Sequence, residues 1–225
     1  MRYYFDHNAW VPMSEEVKNY ITSLLEKVGN PSSIHYSGRQ SKRILEEARK
    51  NIAMLVKCDS QNIIFTSGAT ESAAMVLHKK KIKCAPIEHD CVKEWSTANI
   101  NISRNGKVDI EDPLNSTLQV ANSETGIIQT IPKGIYFTDA VQGFGKIFVD
   151  FSGFDFEFSA ISSHKIGGPK GIGAIIAKDI DALDSFMRGG GQEFGKRSGT
   201  ENLINIEGFA ASIEDNLKRN EALFL

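Results

Sequence analysis

Cysteine is scarce. Cys58, Cys84 and Cys91 are the three in 225 residues, an odd number with no C-x-x-C pair, which fits neither a disulfide framework nor a zinc ribbon. No run of five or more like charges occurs, and 26 basic residues against 28 acidic ones leave a net charge of −2. A basic nucleic-acid surface is therefore not indicated, and no nucleic-acid partner is expected. No stretch approaches the roughly 18 consecutive apolar residues of a membrane span, so no membrane contact is expected either. The amino end, Met1-Arg-Tyr-Tyr-Phe-Asp-His7, has no apolar signal core because Asp6 interrupts it, and a reducing cytoplasm is the expected compartment. Repeats, low-complexity tracts and proline-rich linkers are absent too.

What is present is the composition of a globular protein, 41% hydrophobic and 24% charged. At roughly 150 residues per domain the length gives about one and a half domains. Residues 14–28 carry Val17, Tyr20, Ile21, Leu24, Leu25 and Val28 at helical spacing, with Ser14 as N-cap. Gly29-Asn-Pro-Ser-Ser33 breaks that pattern. A second amphipathic helix follows at about 40–56, with Ile44, Leu45, Ala48, Ile52 and Leu55 on one face. Asn62 to Thr66 reads as a short buried strand, and further apolar runs stand at 82–86, 117–121, 135–138, 156–161 and 172–177. Spacers with helical or turn character lie at 91–96 and 179–186, and a last helical stripe runs from Asn202 to about Leu217. Helices alternating with short, non-alternating strands predict an α/β fold with a mostly parallel sheet.

Three segments carry chemistry. Ser67-Gly-Ala-Thr70 joins a strand to a helix, so its backbone N–H groups can face an anion; it is also readable as an ordinary capped turn. It is not a Walker loop. Asp139 closes the strand Phe137-Thr-Asp139, at the carboxyl end where ligands sit in open α/β sheets. Lys165 leaves the strand ending Ser162-Ser163-His164, where burial can lower a lysine's pKa and make it a Schiff-base candidate; a solvated loop lysine is the plainer alternative. The glycine-dense segment Gly189 to Thr200 reads either as a phosphate-contacting loop or as a mobile connection.

Taken in order, Ser-Gly-Ala-Thr, Glu88-His89, Asp139-x-x-Gln142, Ser162-x-His-Lys165 and Arg197-Ser-Gly-Thr200 resemble the cysteine desulfurases, enzymes of the class V aminotransferase fold that use pyridoxal 5'-phosphate (PLP). The resemblance extends from Tyr4-Phe-Asp-His-Asn-Ala9 to Gly199-Thr-Glu-Asn202. It implies an aspartate aminotransferase-like large domain over residues 1–225, with 1–35 as arm and helix, 36–202 as core and 203–225 as a helix leading to a smaller domain. It also implies roles: Lys165 as the lysine bonded to PLP, and Asp139 at the pyridinium nitrogen, where it makes the ring an electron sink. His89 would stack on the ring and Gln142 contact its hydroxyl. Ala69, Thr70, Ser162, Ser163 and His164 would cradle the phosphate, and Thr200 would reach the phosphate of a partner subunit, which implies a homodimer.

Departures from the family pattern shape the functional expectation. The family's sulfur-accepting loop cysteine and its carboxylate-clamping arginine belong to a smaller carboxyl-terminal domain that these 225 residues do not include. A ring-contacting asparagine becomes Ser123, and Trp10-Val11 replace threonines. The helix before Phe137 is trimmed to Pro132-Lys-Gly-Ile-Tyr136, and Leu77 to Pro86 is shortened, which predicts exposed apolar sheet surface or a covering chain. Cys91, two residues past His89 in the first turn of a helix, is a poor substitute for a cysteine on a mobile loop, although a helix start can lower a thiol pKa. The expectation is a PLP-binding, desulfurase-like protein that does not desulfurate L-cysteine alone, with a sulfur acceptor or iron–sulfur assembly protein as its possible partner. The alternatives are a non-catalytic interaction protein or gene remnant, and a different PLP-dependent activity on an amino acid.

Overall fold

The computed structural model describes residues 3–223 apart from Val28, Phe148, Asp150, Ser152 and Phe154; the assignment of Val28 to the first helix lies outside the described residues. Helix α1 (Glu15–Leu24) is capped as its sequence predicts, the Ser14 side chain accepting from the Val17 N–H. Helix α2 (Tyr36–Val56) begins earlier than its apolar stripe, because His35 caps it by accepting from the Gly38 N–H. The remaining elements are β1 (Ile63–Thr66), α3 (Ala69–Leu77), β2 (Ile82–Cys84), α4 (Asp90–Lys93), β3 (Ser96–Ala98), β4 (Thr117–Gln119), β5 (Ile135–Asp139), β6 (Phe156–Ser162), β7 (Gly173–Ala177) and α5 (Leu203–Leu223). The 179–186 spacer forms only a 3-10 turn at Ile180–Ala182, with the Asp179 side chain accepting from the Asp181 N–H.

Five strands form the central sheet in the order β1-β7-β6-β5-β4. Strands β4, β5 and β6 pair in parallel, while β7 runs antiparallel to both β6 and β1. Four of the five strands therefore point the same way, and the carboxyl ends of β1, β4, β5 and β6 share one edge. Strands β2 and β3 form a separate parallel pair.

Alternation along β1 and β7 divides the core. Ile63 and Phe65 of β1, with Ala174 and Ile176 of β7, face a cluster built with Leu45 and Ile52 of α2 and Phe209 and Ile213 of α5. Ile64 and Ile175 face the opposite cluster, with Met75 and Leu77 of α3 and Val92 of α4. The surface expected to open beside the trimmed segment does not appear on β5: Ile135 and Phe137 are buried, one in each cluster. Among the described residues no helix is long and apolar enough to cross a membrane.

Candidate cofactor site

The strand ends place the site. The turn after β1 is braced from within: the Gly68 N–H donates to Thr66 Oγ1 at 3.3 Å, and Thr66 Oγ1 lies 2.9 Å from Ser72 Oγ. Gly68 then begins α3 with no side-chain cap, leaving the first-turn amides without intrahelical partners. A Cβ on Gly173 would lie 2.8 Å from Gly68 Cα, so β7 must offer a glycine where the turn passes.

Three further strand ends converge with this turn on a cavity of about 760 Å3, within the range of small-molecule sites. Asp139, at the end of β5, is buried. Its Oδ1 accepts from the Val141 N–H at 2.8 Å and its Oδ2 from Gln119 Nε2 at 3.3 Å. Burial raises its pKa against these two bonds. Lys165, just beyond β6, donates from Nζ to the carbonyls of Asn8 at 2.6 Å and Ala9 at 3.1 Å. Burial lowers its pKa, opposed by Asp139 and Asp6, which is the direction a nucleophilic lysine needs.

His89 caps α4, its Nδ1 accepting from the Cys91 N–H at 3.2 Å. That bond leaves the hydrogen of a neutral ring on Nε2. His164 Nδ1 lies 3.0 Å from Ser162 Oγ, and burial together with Lys165, Lys170 and Lys146 pushes its pKa down to about 4.

Ala69, Thr70, His89, Asp139, Gln142, Ser162, His164 and Lys165 all line this cavity. Three expected residues do not. Ser163 is buried on the other side of the chain from Ser162, where a Cβ on Gly168 would lie 2.0 Å from its Oγ. Ser123 lines an adjoining hollow. Thr200 is exposed and outside the lining. Gln142 is present but engaged, donating from Nε2 to the Asn8 carbonyl at 2.8 Å. Cys91 lies in the cavity, 3.0 Å from His89 Nδ1. Burial, then Asp139, pushes its thiol up to about 12, opposite to the lowering that a helix start can produce.

The motifs assign no role to Gln119, and name Glu88 only as the neighbour of His89. Buried Gln119 accepts at Oε1 from Asn122 Nδ2 at 2.8 Å and from the Ser123 N–H at 3.3 Å, which turns its NH2 toward Asp139. Glu88 accepts the Gln119 N–H at 2.9 Å. Burial, reinforced by Asp139, raises its pKa to about 8 despite that bond. The glycine-dense segment does not line this cavity, and it is firmly attached. Glu193 forms paired bonds of 2.7 and 2.8 Å to buried Arg49, and Arg197 bonds Glu71 at 2.7 Å. Glu71 in turn accepts the Ser67 N–H at 2.8 Å, fixing the turn before α3.

This donor set fits PLP: a buried carboxylate bonded only to neutral donors, a lysine of lowered pKa, and a helix N-terminus placed for a phosphate. Among the described residues no cluster suits a metal ion.

Comparison with known proteins gives the same direction. Cysteine desulfurase IscS of Dictyoglomus turgidum is 35% identical over 94% of this chain and 63% of that protein. The mitochondrial cysteine desulfurase of Saccharomyces cerevisiae is 36% identical over 92% of this chain and 49% of that protein. A solved structure described as a NifS-like protein superposes with a TM-score of 0.87 at 30% identity, over 97% of this chain and 70% of that one. The chain thus spans about three fifths of the Dictyoglomus relative's length. These families are PLP-dependent. With the family described as aminotransferase class-V matching residues 3–218, the chain belongs to the class-V aminotransferases and is a cysteine desulfurase-like member of them.

Proposed function

We propose that these residues form the large, cofactor-binding domain of a cysteine desulfurase-like protein, with Lys165 holding PLP and L-cysteine as the amino acid it acts on. The observation that carries this reading is the convergence of Lys165, Asp139 and the α3 N-terminus on one cavity. When bound, the cofactor supplies an electron sink for bonds of the attached amino acid.

The chain's own residues do the rest. Asp139 would offer its charge to the ring nitrogen, since its two neutral donors leave that charge without a bonded cation. Ala69, Thr70, Ser162 and His164 would hold the phosphate, with burial and the neighbouring lysines keeping His164 neutral. His89 carries its ring hydrogen on Nε2, where it can exchange a proton with the reacting amino acid. Lys165 loses its proton more readily than a solvated lysine, and the bonds it makes to Asn8 and Ala9 must open for it to react.

Burial pushes all three thiols up, Cys91 to about 12 and Cys58 and Cys84 to about 11, away from the thiolate that accepts sulfur, and neither Cys58 nor Cys84 lines the cavity. We infer that the accepting thiol comes from outside these 225 residues and that the chain alone does not turn over L-cysteine. A homodimer, with exposed Thr200 reaching toward the partner's phosphate, and a sulfur acceptor of iron–sulfur assembly in the cytoplasm complete the reading.

The test is the absorbance spectrum of the chain with added PLP, beside Lys165→Ala. A visible band that survives desalting in the wild type and is absent in the variant is the expected result. A folded wild type with no band overturns the reading and leaves a non-catalytic interaction protein.

A further inference from the structure

One residue bridges the two acids beneath the cavity. Gln119 donates its backbone N–H to Glu88 Oε1 at 2.9 Å and its side-chain NH2 to Asp139 Oδ2 at 3.3 Å. All three residues are buried, and among the described residues no cation bonds either carboxyl group. Two neighbouring buried carboxylates without a cation disfavour double ionisation. At neutral pH the pair therefore keeps one proton and one charge, and the hydrogen bonds around Gln119 decide which acid holds which.

The direction of the Gln119 amide is set from outside. Asn122 Oδ1 accepts three bonds, from the Glu124 N–H at 3.0 Å, the Thr125 N–H at 2.9 Å and Thr125 Oγ1 at 3.1 Å. Asn122 Nδ2 is left to donate, to the Ile87 carbonyl at 2.7 Å and to Gln119 Oε1 at 2.8 Å. Such partners tell an amide's oxygen from its nitrogen. With Oε1 turned to Asn122 and the Ser123 N–H, the Gln119 NH2 faces Asp139. An NH2 only donates, so it favours the ionised form of the acid it meets. Glu88 receives a backbone N–H at Oε1 alone, and its Oε2 is buried with no described partner, where a hydrogen can stay. The other titratable groups around the pair act in the same sense. His89 at the start of α4 and Lys165 beyond β6 favour charge on Asp139. Cys84 on β2 and Cys91 on α4 are thiols that burial holds uncharged.

We propose that Gln119 is a positioning residue that places the single charge of this pair on Asp139 and leaves the proton on Glu88. The proposal rests on Asp139 serving the cofactor, and it makes Asn122 the residue that keeps the Gln119 amide from turning over. The parallel register of β4 and β5 sets Gln119 directly beside Asp139, so the arrangement needs no loop to hold it.

The test follows the carboxyl carbons of Glu88 and Asp139 by carbon magnetic resonance in the full chain, without added cofactor, as the pH is raised. Glu88→Gln and Asp139→Asn identify the two signals. In the wild type the Asp139 carbon should reach its ionised position first, and the Glu88 carbon only near pH 8. Gln119→Met keeps the bulk of the side chain and removes its amide, and should raise the Asp139 midpoint by at least about one pH unit. If that variant does not fold, Asn122→Ala, which frees the Gln119 amide to turn, should move the midpoint in the same direction. A Gln119 that merely supports the fold would lower stability in these variants and leave both midpoints in place. The proposal is overturned by Glu88 ionising before Asp139 in the wild type, or by an unchanged Asp139 midpoint in the folded variant. PLP absorbance on the same samples separates the two readings. Asp139 ionising first without a PLP band sinks the cofactor reading alone, and a PLP band with Glu88 ionising first sinks this one alone.

Discussion

Two buried carboxylate sites in this molecule are built on opposite plans. Glu193 is paired with a guanidinium: both of its oxygens bond Arg49, and Oε2 also accepts the Phe65 N–H at 2.7 Å. Arg49 completes the arrangement by donating to the Ile63 carbonyl and lying over the rings of Phe65 and Phe194. Beneath the cavity, Glu88 and Asp139 have only amide donors between them, from Gln119 and Val141. One site cancels its charge internally and ties the glycine-dense segment to α2 and β1. The other keeps charge near a cavity with no cation bonded to it, and burial raises both carboxyl pKa values. The difference teaches which buried charge belongs to the fold and which is held for a ligand.

The largest effect expected from this comparison is at Glu193. Glu193→Gln keeps shape and the left-handed backbone at that position but leaves Arg49, 2% exposed, with only the partly exposed Glu46, 3.4 Å from its Nε, as counter-charge. Breaking a buried pair this way costs about 3–5 kcal/mol. Urea denaturation at neutral pH measures it. A loss under about 1 kcal/mol would put this pair in the class of the exposed Arg43–Glu47 pair and dissolve the contrast.

How much of this was legible in the sequence follows from how local each feature is. Helices α1 and α2 follow from apolar spacing and the Ser14 cap, and Asp139 and Lys165 could be marked because each ends a strand in its own motif. The Arg49–Glu193 pair joins residues 144 positions apart, and Gln119 meets Glu88 and Asp139 across 31 and 20 positions. No window of sequence shows such pairs; the parallel alignment of β4 with β5 creates the second. Ser163 lies outside the cavity for another reason. It directly follows Ser162, the last residue of β6, so the two side chains leave the chain on opposite sides. The glycine-dense segment reads as a phosphate-contacting loop or a mobile connection because its anchoring partners, Arg49 and Glu71, are remote in sequence.

A middle-sized effect is expected at Glu88, through pH. Its folded pKa of about 8 stands above the ordinary 4.5, so the folded state holds the proton more tightly than the unfolded one. The resulting stability is complete below about pH 4.5 and declines as the pH rises to about 8. Glu88→Gln removes this titration. The stability of the wild type relative to Glu88→Gln should therefore fall by on the order of 3 kcal/mol between pH 4.5 and 8. Denaturation curves of both proteins across that range supply the difference. A flat difference would mean that Glu88 is ionised in the fold and that the two carboxylate sites are more alike than their partners suggest.

The smallest effect on stability, and the sharpest contrast, is expected at Asp139. Asp139→Asn makes the same chemical change as Glu193→Gln, yet no buried guanidinium loses its partner. The amide oxygen can still accept from the Val141 N–H, while the bond from Gln119 is lost, at a cost of about 1 kcal/mol. Relief from holding a buried charge offsets that loss, so the unfolding free energy at neutral pH should stay within about 1 kcal/mol of wild type. Cofactor binding should move the other way. Without a carboxylate for the ring nitrogen, PLP affinity falls at least about tenfold, equivalent to about 1.4 kcal/mol, as read from the absorbance titration. A variant that unfolds as readily as Glu193→Gln, or that binds PLP as well as wild type, would show that Asp139 serves the fold and that its charge is not held for the cofactor.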